Sequence, residues 1–130
     1  MIFPPAVVVH GLRDARAVLA PGLPVTLISA RGAASYAGCG WWRALIEAAG
    51  AEFDILDCAD APGYAMAALR IGQRVIVLDP GPAFAAVSAA AATLGAVVLA
   101  ERPAALDLAE PGAERRLLAW LQGDNATRLG

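Results

Sequence analysis

The sequence predicts an α/β fold: a three-layer sandwich of about five parallel strands with helices on both faces, in one domain over residues 1–130. Three observations predict it. Short apolar runs recur about every 22 to 28 residues, the period of a strand–helix unit. Before each run after the first, a glycine follows a helix-like segment, as expected of helix C-termini. The runs are continuously apolar rather than alternating, which fits strands covered on both faces and therefore parallel.

The elements follow in order. Ala6-Val7-Val8-Val9 supplies the first strand. Ala15, Val18 and Leu19 then recur at helical spacing beside Arg13 and Arg16, and Gly22 precedes the run Val25-Thr26-Leu27-Ile28. Trp42, Leu45, Ile46 and Ala49 fall at i, i+3, i+4 and i+7, with Arg43 and Glu47 opposite. Trp41 cannot share the core face with Trp42, because adjacent helical residues point about 100° apart. Gly50 leads to Phe53-Asp54-Ile55-Leu56, and Gly72 to Val75-Ile76-Val77-Leu78. Pro62 and Pro82 stand where a first helical turn tolerates a missing N–H. Phe84 to Leu94 is apolar almost all round, which predicts cover from the sheet on one side and from another subunit on the other. Gly95 precedes Val97-Val98-Leu99, and Glu114 to Leu121 reads as a last amphipathic helix with Leu117, Leu118 and Leu121 inward. Right-handed crossovers leave two strand orders open, a flavodoxin-like 2-1-3-4-5 and a Rossmann-like 3-2-1-4-5.

Composition excludes several functions. The chain is 58% hydrophobic and 17% charged, which favours a buried core over disorder. Ten arginines against twelve acidic residues give a net charge of -2, so no nucleic-acid or anionic-lipid partner is indicated. Lysine is absent, which removes Schiff-base chemistry, pyridoxal phosphate attachment and the phosphate-loop lysine. Cys39 and Cys58 are too few for a disulfide framework, and Met1 to Pro5 carries no basic leader; both point to a cytoplasmic protein with free thiols. Asn125-Ala126-Thr127 matches a glycosylation acceptor, which matters only in a secreted chain. Gly81 to Ala100 is uncharged over twenty residues, but eleven are Ala or Gly; a helix, a glycine turn and a strand explain them better than a membrane span.

Polar residues gather just after the strands. They are His10, Ser29 to Arg31, Asp57 with Asp60, Asp79, and Glu101-Arg102. In a parallel sheet these points share one edge, where ligands of open α/β sheets bind at the switch point. The first strand lines that point in either order. Order 2-1-3-4-5 pairs His10 with Asp57, and 3-2-1-4-5 pairs it with Asp79. The loop Arg31 to Gly40 exceeds the usual length of about 2–6 residues. It holds Gly32, Gly38 and Gly40, the hydroxyls of Ser35 and Tyr36, and one Arg, and it leads into a helix N-terminus, a setting that attracts an anion. The same residues also read as a soft surface loop that shapes a subunit interface with the Trp pair. Asp60 and Asp79 equally suit helix caps, and His10 equally suits an imidazole bonded to a neighbouring carbonyl.

Known signatures are missing from this chain. A dinucleotide site needs GxGxxG after the first strand, where His10-Gly11-Leu12-Arg13-Asp14 stands, and no GxSxG occurs. One histidine and two separated cysteines leave zinc without ligands, while Asp57, Asp60 and Asp79 keep a Mg²⁺ alternative open. No cofactor is identified. Three functions are therefore expected in competition. The first is a module binding a small, anionic metabolite through Arg31, Gly32, Ser35, Tyr36, Gly38, Gly40 and Asp79. The second is a small enzyme using His10 with Asp57 and with Cys39 or Ser35 as nucleophile. The third is a homo-oligomeric interaction protein.

Overall fold

The computed structural model describes residues 3–124. Met1, Ile2 and the Asn125-Ala126-Thr127 acceptor lie outside the described residues. Six strands form one sheet: β1 (Ala6–Val8), β2 (Thr26–Ile28), β3 (Phe53–Asp57), β4 (Val75–Val77), β5 (Val97–Leu99) and β6 (Ala105–Asp107). All neighbours pair in parallel, in the order β5-β4-β3-β2-β1-β6. The α/β class is as expected, with six strands rather than five. The order is neither of the two expected. The chain steps outward from β1 to β5 on one side, then returns to place β6 on the other side of β1. The switch point therefore lies between β1 and β6.

The helices are α1 (Leu12–Leu19), α2 (Ala33–Tyr36), α3 (Cys39–Ala49), α4 (Pro62–Arg70), α5 (Phe84–Thr93) and α6 (Ala113–Ala119). None among the described residues is long and apolar enough to cross a membrane. The glycine beat has the expected cause. Gly22, Gly50, Gly72 and Gly95 all have φ between 70° and 97°, where a side chain would clash. At Gly50 the N–H also closes α3 on the carbonyls of Ile46 and Glu47.

Alternate strand residues serve opposite faces. Val7, Leu27, Leu56 and Ile76 join a large cluster with Val18, Trp42, Leu45, Leu69 and Val87 from the helices. Val8, Ile28, Ile55 and Val77 form a smaller cluster on the other face. Both faces are buried, which is why the strands carry no polar alternation. The layers are unequal. Helix residues fall in the large cluster, while Phe3, Leu99 and Ala105 pack against the small one. Leu99 and Ala105 flank residues 100–104, which carry the chain from one edge of the sheet to the other without a helix.

Two helices differ from expectation. Only Val87 and Ala91 of α5 are buried, and Ala85, Ala86 and Ala89 face solvent in the single chain. In α6, Leu117 and Leu121 point inward as expected, but Leu118 is 52% exposed and Trp120 takes the core position. The Trp120 indole donates to the Ala6 carbonyl at 2.8 Å, which fastens the C-terminal helix to β1. Trp42 is fully buried and Trp41 is not, as the helical spacing requires.

One charge sits low in the sheet. The Asp54 carboxylate accepts from the Trp42 indole at 2.9 Å and from buried Gln73 at 2.8 Å. Arg43 bridges the same Gln73 at 2.9 Å and approaches Asp54 at 3.4 Å. These bonds tie α3 and the α4–β4 connection to β3 and satisfy a carboxylate that the strand could not otherwise hold there.

Candidate functional site

The parallel strands bring their C-terminal ends to one rim, and Asp57 organises it. This side chain is 0% exposed. Its Oδ1 accepts the N–H groups of Gly32 at 3.0 Å and Ala59 at 2.8 Å. Its Oδ2 accepts from the Arg102 guanidinium at 2.6 Å. Arg102 also donates to the Ser29 carbonyl at 3.1 Å, so the β5–β6 crossing is anchored to the ends of β2 and β3. The Ser29 hydroxyl in turn accepts the Asp57 N–H at 2.9 Å. Gly32 has φ 71°, and a left-handed Ala59 has φ 49°. For alanine that conformation costs about 1–2 kcal/mol. It persists because the Ala59 N–H is held by Asp57 and its carbonyl by the Asp79 N–H at 2.7 Å.

The switch point holds a second pair. His10 Nε2 lies 2.7 Å from Asp107 Oδ1, which joins the ends of β1 and β6. The His10 N–H donates to the Asp14 carboxylate at 2.9 Å, and the Ala109 N–H donates to Asp107 at 2.9 Å. His10 therefore meets a carboxylate, but neither Asp57 nor Asp79, because β6 rather than β3 or β4 flanks β1 on that side. Burial pushes the Asp107 carboxyl up, but the bonds from His10 and Ala109 outweigh it and hold the group below the usual carboxylate range.

Arg31 and Asp79 are joined to each other by a two-pronged bond of 3.2 and 2.6 Å. Asp79 is held below its ordinary value first by that hydrogen bond, against a smaller opposing effect of burial. The glycine loop splits into α2 and the start of α3. Its Gly32 N–H serves Asp57, Ser35 and Tyr36 are exposed, Gly38 precedes α3, and Gly40 lies in its first turn. Cys39 opens α3, half-buried, and packs on the large cluster. Among the described residues no hydrogen bond joins Cys39 or Ser35 to His10. Burial pushes the Cys58 thiol up to about 12, so it stays protonated at neutral pH. No three His, Cys, Asp or Glu side chains among the described residues gather closely enough to hold a metal ion, so the Mg²⁺ alternative has no cluster.

A cleft of about 440 Å³ opens on the rim beyond β4. Leu78, Pro80, Pro82 and Phe84 supply its apolar lining, and Asp60 and Asp79 its carboxylates. The cleft and the switch point do not coincide, since β3 and β2 separate β4 from β1. Among the described residues, the rim carboxylates of Asp14, Asp57, Asp60, Asp79, Glu101 and Asp107 are accompanied by His10, Arg31 and Arg102. Each of those three cationic or ionisable groups is already bonded to a carboxylate.

Sequence reasoning placed Arg102 on the rim without a role and missed β6 with Asp107. One signal pointed to β6: Leu106-Asp107 repeats the strand-end pairs Leu56-Asp57 and Leu78-Asp79. Compared with models of known protein families and with curated proteins, the chain matches none.

Two outcomes follow from these pairs. Replacing Asp57 with Ala leaves a partly buried guanidinium and two amides unpaired, and is expected to cost about 3–5 kcal/mol in urea unfolding. An Asp57→Ala/Arg102→Ala cycle is expected to show coupling of at least about 1 kcal/mol, and additive effects would deny the pairing. For Asp107, a folded carboxyl held low adds stability that is present above about pH 4, the unfolded value, and fades as pH falls through the folded one. His10→Ala should therefore lower stability at pH 5, with the difference from wild type shrinking towards pH 2. Parallel acid unfolding curves would show that the bond contributes nothing.

Proposed function

We propose that this chain is a small-molecule-binding α/β domain that holds a metabolite at the C-terminal rim of its sheet. The observation that carries this reading is the cleft of about 440 Å³ beside Asp79. That size lies within the roughly 300–1,000 Å³ of small-molecule sites, and an apolar wall with a few polar groups is their usual make-up. The rim supports the reading in a second way. Except for Asp60, its main polar groups (His10, Arg31, Asp57, Asp79, Arg102 and Asp107) are fixed in advance by mutual hydrogen bonds, so little ordering remains to oppose binding.

The His10–Asp107 pair supports a second reading, an acid–base catalyst at the β1–β6 switch point. An imidazole oriented by a carboxylate and 38% exposed can exchange a proton with a molecule on the rim. A third feature bears on partners. The outward alanines of α5 adjoin β5, an edge strand with no charged residue from Gly81 to Ala100. Proteins blunt such edges with charge unless something covers them, and a second copy of the chain is the proposed cover.

Thermal unfolding against a panel of nucleotides, phosphates, carboxylates and amines tests the first reading. A ligand at 100 times its Kd adds about 2.7 kcal/mol, a rise in Tm of roughly 8 °C. The rise should vanish in Ala83→Trp, which fills the cleft, and no rise with any compound would contradict the proposal. His10→Ala separates the second reading: a catalyst keeps the thermal shift and loses turnover of that ligand, whereas a binding module turns over nothing in either form. Light scattering at high concentration should give at least a dimer mass, and a strict monomer would remove the homo-oligomer.

A further inference from the structure

We infer that the cleft beyond β4 takes a small organic cation, an ammonium group on an apolar body, rather than an anion. The inference rests on the binding reading above and adds the charge of the ligand. Asp60 and Asp79 are the ionisable groups in the lining, and no basic side chain stands among the described lining residues. Arg31 is the nearby cation that could reverse this balance. Its guanidinium is occupied by Asp79 at 2.6 Å, so the pair cancels and Asp60 leaves the site negative. Asp60 makes no hydrogen bond or ion pair of its own among the described residues; Arg31 also attracts it at longer range, but one guanidinium set against the two carboxylates still leaves the site negative.

The rest of the lining decides between kinds of cation. Leu78, Pro62, Pro80, Pro82 and Phe84 offer apolar surface and one aromatic ring, which attract an ammonium carried on a hydrocarbon body. A bare metal ion would want more oxygen ligands than two carboxylates provide, and no group of three ligating side chains forms here among the described residues. The wider rim reinforces the choice. Its remaining cationic or ionisable groups, His10 and Arg102, are bonded to Asp107 and Asp57, so none is free to receive an anion in the cleft.

Three matched probes test this on the full chain by amide chemical-shift titration: 2-phenylethylammonium, 3-phenylpropanol and 3-phenylpropanoate. The ammonium is expected to shift Gly81, Ala83 and Phe84 and to bind at least about tenfold more tightly than the propanoate. Asp60→Asn should weaken it severalfold. Arg31→Met should strengthen it severalfold, because Asp79 is released to the ligand; an anion site would lose its ligand in this variant. Arg31 is 61% exposed, and an unchanged spectrum outside the rim confirms that the variant folds. Tighter binding of the propanoate, lost in Arg31→Met, overturns the inference. Equal binding of ammonium and alcohol overturns the charge assignment and leaves the binding reading standing. No shift from any probe overturns the ammonium class, while the wider thermal panel still decides whether the rim binds anything.

Discussion

A carboxylate with no exposure to water, at the end of a central strand, is the constraint on which this fold turns. Asp57 would be costly to bury alone. It is tolerated because two backbone amides and a guanidinium converge on it. Those partners come from the β2–α2 loop, from its own β3–α4 loop and from the β5–β6 crossing. One side chain thus closes three connections at once. The crossing needs such a tie, because residues 100–104 span the sheet with no helix to pack them. Arg102 on Asp57 and on the Ser29 carbonyl fixes this crossing, while the β1–β6 ladder and the His10–Asp107 bond hold β6 in register beside β1.

The same arrangement shapes the chemistry available at the rim. Parallel strands deliver their terminal residues to one edge, and in this chain three of the six strands, β3, β4 and β6, end on or beside an aspartate, Asp57, Asp79 and Asp107. Arginines placed among them are consumed by pairing, which stiffens the rim and leaves its charge negative. A glycine loop with an arginine looks, as a string of letters, like a cradle for an anion. Folded, its first amide is spent on Asp57 and its arginine on Asp79. On the proposed reading, recognition falls to the cleft and to Asp60.

Much of the fold was legible because it is local. The glycines after each helix, the apolar runs of β1 to β5 and the spacing of Trp42, Leu45 and Ile46 are short-range signals, and the structure places all of them as read. What was not legible is long-range. β6 is three residues, Ala105 to Asp107, two positions after a proline, too short for a periodic pattern. Its place beside β1 depends on contacts nearly a hundred residues away in the chain, and so does the meeting of His10 with Asp107. Ala59 gave no sign of its left-handed backbone, since nothing in an alanine asks for it. Leu118 was expected inward but lies one position off the stripe that Leu117, Trp120 and Leu121 make at i, i+3 and i+4, and Trp120 fills the place instead.

Amide hydrogen exchange at the rim tests this account most directly, comparing the wild type with Arg102→Met, which keeps the stem and removes the charge. If Asp57 and Arg102 jointly hold the rim, the Gly32 and Ala59 amides and the Leu108 amide beyond β6 will lose protection together, while the amides of α3 keep theirs. Unchanged protection at Gly32, Ala59 and Leu108 would show that the rim stands without this pair, and the central claim would fail.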